Sequence, residues 1–484
     1  MTNLADPDPI DPALVSHTMS RTFVRNVYET LVYYKLGTTT IVPVLATSWK
    51  KKRLTYTFQL RRGVKFQNGA PFTSADVKAT IDRDLALKSG VGGSYLQNVK
   101  SARTSGKYAV KITLKKPYAF FLGLLPKIPI ASAKDIKAHM GSPTDYAQAW
   151  FKNNANGTGP WKLQSYARGQ QYTLVRNPHY WRKFSKNAFT KIVVRPVGDS
   201  ATQAQLISRG EVHLGSWMSF RDMISAANSA NAKLFDFHSP MTLILNITGG
   251  KAPLSDSKLR QAMIAAFPYA QMRQFYQGYA QAPRSVLSPT FPGAAKLPIL
   301  QQNLDRARQL LADAGYPGGK GLRTLRYVAV QGLEDERQAG LLLQSALARI
   351  GVELKIDVLP FGTFLAQAQN VNTAPDFSPG YEAPETNDPF QWFTKLFACG
   401  GFLNLAHFCS KALDSTIAQA QRTESAKKRI QLLHKAQNLI ASNGFAIPAA
   451  NFDGLYVGAS WLGGLKNDIS DLLYDPKFFG MYRK

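Results

Sequence analysis

Acidic side chains are scarce in this chain of 484 residues: 31 Asp and Glu stand against 59 Lys and Arg, for a formal net charge of +28. An excess of that size favours anionic surfaces or solutes through long-range attraction, so nucleic acid has to be weighed as a partner. The basic residues are dispersed as short runs such as Lys50-Lys51-Lys52-Arg53 and Lys427-Lys428-Arg429, with no zinc-finger spacing, basic zipper or aromatic RNP pattern. A solvated basic face is therefore expected, and no nucleic-acid partner. Long apolar runs are missing too. Without about 18 consecutive apolar residues there is no spanning helix, and the opening MTNLADPDPIDPALVSH is acidic and proline-rich rather than basic then apolar, so no secretory leader is expected in this stretch. Cysteine is nearly absent. Cys399 and Cys409 stand too far apart for a CxxC pair and have no second pair with which to complete a tetrahedral zinc site. A disulfide, which would imply an oxidising compartment, is favoured over two buried thiols. Catalytic signatures are missing as well: no GxSxG elbow, HExxH, strand-borne GxGxxG or Walker lysine occurs, and the seven histidines are scattered. No enzyme, cofactor or metal is expected.

Hydrophobic residues make up 45% of the chain, enough to fill the two or three lobes that this length calls for. Leu45–Lys78 carries the clearest local order. Leu54, Tyr56, Phe58 and Leu60 alternate with polar residues as a half-buried strand does. Gly63 and Asn68-Gly69 supply reversals, and Thr73 or Ser74 caps a helix near Ala75. Before it, Phe23, Val27, Leu31 and Tyr34 fall at helical spacing, which predicts one helix over 15–36, followed by a loop over 38–44. Tyr108 to Leu114 alternates as a further strand. Asp256 and Asp305 are candidate helix caps. From 325 to 369 the pattern runs strand, helix, strand, helix, which argues for an α/β lobe with crossover helices.

Several of these segments, read in order, carry a resemblance. The ordered match to "LA-x-S-W" and "Y-T-F-x-L-R-x-G-V-K-F-x-N-G-x-P-F-T-x-x-D-V" at 45–77, the Gly157-Thr-Gly-Pro-Trp161 turn, Asn177-Pro-His-Tyr-Trp181 and Asp305-Arg-Ala-Arg-Gln-Leu-Leu-Ala-Asp-Ala-Gly-Tyr316 resemble family 5 of the extracytoplasmic solute-binding proteins, the oligopeptide-, dipeptide- and nickel-binding proteins of ABC transporters. The resemblance implies an α/β, periplasmic-binding-protein-like, two-lobed (Venus-flytrap) fold of cluster C type with an extra third subdomain. Its boundaries would fall at 1–43 (lobe I), 44–157 (the extra subdomain), 158–241 (lobe I again), 242–452 (lobe II) and 453–484 (return to lobe I). It implies a monomer outside the cytoplasm, in the periplasm or its equivalent, with any leader removed. A peptide or peptide-like solute would be captured in an interlobe cleft by hinge closure and delivered to membrane permease subunits. Opines, oligosaccharides and nickel chelates are the alternatives on the same fold. Some peptide-binding relatives also carry a loop disulfide like the one proposed for Cys399 and Cys409.

Ligand-facing positions follow from the same resemblance. Residues 380–389 read as a loop. In peptide-binding relatives a carboxylate there pairs with the ligand's α-ammonium, and matching back from Asp388-Pro389 puts Glu385 in that place. Trp217 and Met218 follow a strand where the family faces its cleft, Asn246 lies in the "L-x-x-N" crossing, and Tyr381 and Trp392 are candidate pocket walls. Tyr95, in Ser-Tyr-Leu-Gln, and His17 are further candidates. Where some dipeptide-binding relatives place an arginine for the solute carboxylate, this chain has Val330 and Gln331, so no fixed clamp for a short peptide is expected.

Overall fold

The computed structural model describes the chain except residues 16, 17, 36, 37, 39, 89, 143, 402 and 466–474. Two compact units result: Met1–Asp236 with Leu455–Lys484, and Phe237–Gly454. The chain passes from the first unit to the second within the strand Ala232–Ile247 and returns within Ala446–Ala459. The boundaries expected at 44 and 157 both lie inside the first unit.

In the first unit an antiparallel sheet has the order Ala46–Lys52, Thr55–Leu60, Ala109–Leu114, Val99–Thr104. The alternation read from the sequence explains it: Tyr56, Phe58, Leu60, Val110, Ile112 and Leu114 are buried, while Thr57 pairs in register with Lys50 and Lys111 on the opposite face. The helix Ser74–Leu87 packs Val77 and Ile81 into the same core. It starts where expected, with Thr73 and Asp76 forming a reciprocal capping box that satisfies two end donors. A second sheet runs Thr2–Asn3, Lys191–Pro196, Gln171–Arg176, Trp161–Ala167.

The helix expected over 15–36 is shorter. It spans Thr18–Val27, and Val32–Tyr34 is instead a strand paired with Ile41–Pro43, inside the stretch expected as a loop. Phe23, Val27, Leu31 and Tyr34 are all buried, so periodicity found the core positions and misassigned the backbone. The cause lies at Glu29, which is 4% exposed and accepts hydrogen bonds from Thr158 Oγ1 (3.1 Å), Tyr180 OH (3.2 Å) and Trp181 Nε1 (2.9 Å). Tertiary donors hold this carboxylate where the helix would continue, and β-branched and aromatic residues follow it. The Gly157–Trp161 turn also receives the hairpin: Gln67 N–H donates to Gly157 O at 3.0 Å, and Gln67 Nε2 donates to Val27 O and Trp161 O. A Cβ on Gly157 or Gly159 would meet the Val27 backbone within 2.7 Å, so only glycine allows this approach.

In the second unit the sheet order is Ala446–Ala459, Ala232–Ile247, Phe377–Glu382, Leu325–Val330, Leu354–Leu359. Leu325–Val330 and Leu354–Leu359 are parallel and joined by the helix Glu334–Ala348, the crossover that the sequence pattern predicts. Asp256 caps Ser257–Ala266 as expected, but Leu304–Asp313 is capped by Asn303, whose side chain accepts from Arg306 N, and not by Asp305. Asp305 stands two residues past that cap, where it accepts from Arg308 Nη1 at 2.7 Å and gains the favourable interaction of an anion with the helix start. Cys399 and Cys409 form a disulfide.

Candidate functional site

The stretch expected as a loop over 380–389 is part strand: Phe377–Glu382 pairs antiparallel with Ala232–Ile247, with Tyr381 opposite Leu243 and Ser378 opposite Asn246. After a short turn, Asp388 caps the helix Pro389–Leu396, accepting from Phe390 N at 3.0 Å, with Pro389 at the first helical position where a missing N–H costs nothing. One helical turn separates Trp392 from Lys395, so the helix aims both back at the end of the strand. Trp392 Nε1 donates to Glu382 Oε2 at 3.1 Å, and the Lys395 ammonium lies 3.9 Å from Glu382 Oε2 and 4.0 Å from Glu385 Oε1. Two carboxylates thus flank one ammonium, with the Lys395 and Glu382 side chains under one-fifth exposed and Glu385 at 27%.

Burial dominates the electrostatics here. It raises the Glu382 carboxyl above its ordinary range, Lys395 and the Trp392 indole pull it back, and Glu385 adds repulsion. Asp388 is pushed up to about 6 by burial, against the opposing pull of the Phe390 N–H and of Arg429, whose Nε lies 3.5 Å away. Beside the strand, the Asp335 carboxylate accepts from Tyr276 OH at 2.9 Å and also bonds Tyr381; burial raises its pKa while those two hydroxyls lower it. Its neighbour Glu336 is pushed up to about 8 by burial, although Val330 N donates to it at 3.1 Å. Chemically, Glu382 and Glu385 set two carboxylates beside one ammonium, while Tyr276, Tyr381 and Asp335 are joined to one another by hydrogen bonds.

The expected site residues divide between the units. Glu385, Tyr381, Trp392 and Asn246 lie in the second. Trp392 is 1% exposed and packs edge-on against Phe397, so it orients Glu382 through its N–H rather than offering a wall. Asn246 is 3% exposed, and its Nδ2 donates to Ser378 O across the sheet at 3.0 Å. Trp217, Met218 and Tyr95 lie in the first unit. Trp217 is half-buried with φ +58°. Met218 packs in a core cluster with Ile207, Val212 and Val457, and Tyr95 packs against the core of the four-stranded sheet. His17 lies outside the described residues.

A cavity of about 370 Å³ sits beside the disulfide, lined by Gly250, Gln369, Asn404, His407 and Phe408 among others. Asp414 is near both sulfurs, but these are joined to each other and the carboxylate accepts the Cys399 N–H at 3.1 Å. A disulfide offers no thiolate to a metal.

A profile of the bacterial extracellular solute-binding proteins, family 5 (middle region), matches residues 40–404. The chain belongs to this family. A probable D,D-dipeptide-binding periplasmic protein of Escherichia coli K12 is 25% identical over 449 residues, covering 90% of this chain and 85% of that protein. A glutathione-binding protein of Salmonella choleraesuis SC-B67 is 26% identical over 455 residues, covering 89% and 84%. The dipeptide-binding protein of Pseudoalteromonas sp. SM9913, solved with Met-Leu, superposes with a TM-score of 0.87 at 21% identity over the whole of both chains. These relatives of the family-5 chain are binding proteins rather than enzymes, and those named by compartment are periplasmic. Among its described residues no helix is long and apolar enough to cross a membrane.

Sequence reasoning missed Glu382, Lys395, Asp335 and Tyr276. Lys395 had an available signal: it falls three residues after Trp392 in PFQWFTKL, on the same helix face. Asp335 and Tyr276 are 59 residues apart in sequence and meet only through the sheet.

Proposed function

We propose that this family-5 protein is the solute-binding component of an ABC importer that captures a peptide or peptide-like solute bearing a free ammonium group, through Glu385 assisted by Glu382. The observation that carries the reading is the pair of partly buried carboxylates around Lys395. A cation arriving there meets two carboxylates already gathered around a resident ammonium at 3.9–4.0 Å. Tyr381 contributes apolar surface for side chains of the solute, Asn246 ties its own strand to Ser378 O and Trp392 orients Glu382, while Trp217 and Met218 are proposed contacts on the first unit. Tyr95 is a further contact for an extended solute. The relatives that bind D,D-dipeptides and glutathione support a peptide-like solute, and the lack of an arginine at Val330 and Gln331 favours solutes whose carboxylate is not clamped at a fixed length.

Capture favours a closed form of the family's two lobes, which the permease subunits recognise, because a ligand that touches both lobes binds the closed state better than the open one. A thermal-shift screen over peptides, opines, sugars and nickel–histidine tests this. Peptides with a free amino terminus raise the melting temperature and shrink the radius of gyration in small-angle scattering. A response confined to sugars or to nickel–histidine contradicts the reading, as does a shift without compaction.

A further inference from the structure

The positive charge of the chain is not spread evenly. Residues 30–75 contain eight Lys or Arg and residues 85–134 contain nine, and neither stretch contains a single Asp or Glu. These two stretches, a fifth of the sequence, thus supply seventeen of the twenty-eight excess charges. They are also the stretches that build the sheet Ala46–Lys52, Thr55–Leu60, Ala109–Leu114, Val99–Thr104. One face of that sheet packs on Val77 and Ile81 of the helix Ser74–Leu87. The other is open.

The registers say what the open face presents. Lys50 pairs with Thr57, Thr57 with Lys111 and Lys111 with Arg103, so one row of four runs across the sheet. The next row is Lys52, Thr55, Thr113 and Ser101, with the Thr55 and Thr113 hydroxyls hydrogen-bonded at 3.0 Å. Lys50, Lys52, Lys111 and Arg103 are exposed, and among the described residues none of them is in an ion pair. Lys100, Lys107, Lys115 and Lys116, at the ends of the same strands, are exposed as well. Basic residues on the edge strands Ala46–Lys52 and Val99–Thr104 would serve to block edge-to-edge pairing, but that leaves Lys111, on an inner strand, without a reason.

We propose that this open sheet face docks the protein on an anionic lipid bilayer surface. Four strands at about 4.8 Å spacing make a basic field roughly 14 Å across. Its charge is mostly lysine, a mobile point charge suited to a diffuse, fluid array of headgroups, whereas a shaped anion is met by the planar fork of arginine. The two rows carry Lys, Arg, Thr and Ser and no apolar side chain, so the face sits on headgroups without inserting. Such contact concentrates a solute-binding protein in two dimensions beside a membrane.

Cosedimentation of the full chain with phosphatidylcholine vesicles, with and without added phosphatidylglycerol, tests the proposal. The protein pellets with the anionic vesicles only and is released by salt within the range where surface attraction is screened. Exchanging Lys50, Lys52, Arg103 and Lys111 together for Glu lowers vesicle affinity at least ~10-fold, whereas a matched set on the second unit (Lys411, Lys427, Lys428 and Lys435 to Glu) stays within about threefold. Circular dichroism checks folding, and a Gln set at the same four sheet positions reads the same loss in smaller degree if the Glu set does not fold. Equal losses in the sheet set and the matched set would overturn the proposal in favour of net charge alone. So would absence of binding to anionic vesicles, or tighter retention of a duplex DNA fragment than of vesicles, lost in the same sheet variant.

Discussion

Glu29 in the first unit and Glu382 in the second are both glutamates withdrawn from solvent, and the protein treats them in opposite ways. Glu29 accepts three hydrogen bonds from neutral donors on Thr158, Tyr180 and Trp181, which come from two separate stretches of backbone. Glu382 has one indole donor and shares a single lysine ammonium with Glu385 at distances near 4 Å. The first arrangement is complete without a ligand and acts as a joint between three segments far apart in sequence. The second is the one proposed to meet the solute's ammonium. The motifs that mark the family thus gather at a point of architecture, while the proposed solute contacts lie on residues that the motifs do not include.

That comparison can be broken in four ways. Glu29→Ala strands the Thr158, Tyr180 and Trp181 donors in a buried place, and a loss of about 3–5 kcal/mol is expected in denaturant unfolding; a loss below about 1 kcal/mol would make the joint incidental. Replacing Cys399 and Cys409 together by Ser opens a loop whose Gly401 packs on the Thr394 and Lys395 carbonyls and whose Leu403 N–H donates to Lys395 O. A cost of about 2–3 kcal/mol is expected, read as a lower melting temperature in the double variant or on reduction.

Glu336 sharpens the contrast from a third side, as a buried carboxyl kept protonated. Its pKa is raised from 4.5 to about 8, so in that window the folded chain holds a proton the unfolded chain has released. Stability from this group is present at low pH and falls as pH rises toward about 8. Glu336→Gln should therefore stabilise by about 1–3 kcal/mol above that value and by almost nothing near the ordinary glutamate range, measured as unfolding midpoints across pH. The smallest effect on stability is expected at the proposed site: Glu385→Gln removes a pair at 4.0 Å with its carboxylate 27% exposed, worth less than about 1 kcal/mol.

Much of the scaffold was legible in the sequence, and the reasons are local. The Thr55–Leu60 and Ala109–Leu114 strands announce themselves by alternation, the helix at Ser74 by its capping box, and the crossover around Glu334–Ala348 by the order of its periods. The reading failed where distant groups override local preference. Glu29 stops a helix because Thr158, Tyr180 and Trp181 reach it, and Val32–Tyr34 becomes a strand because Ile41–Pro43 is there to pair with it. At the candidate site, part of the local structure was legible. Asp388-Pro389 locates the helix start, and Glu385 is brought beside Lys395. Trp392 looked like a pocket wall by residue type alone, and only its burial and its bond to Glu382 show that it positions a carboxylate.

The central claim is that the carboxylates beside Lys395 recognise the solute's ammonium, and a capture experiment tests it most directly. The purified chain and its Glu385→Gln variant are incubated with a peptide library presented once with free and once with acetylated amino termini, and what is retained after gel filtration is read by mass spectrometry. The account predicts that the wild-type chain retains free-amine peptides at least ~10-fold over their acetylated forms, and that Glu385→Gln, still folded, loses this preference. Retention of acetylated peptides equal to that of free ones by the wild-type chain, or an unchanged preference in the variant, would contradict it.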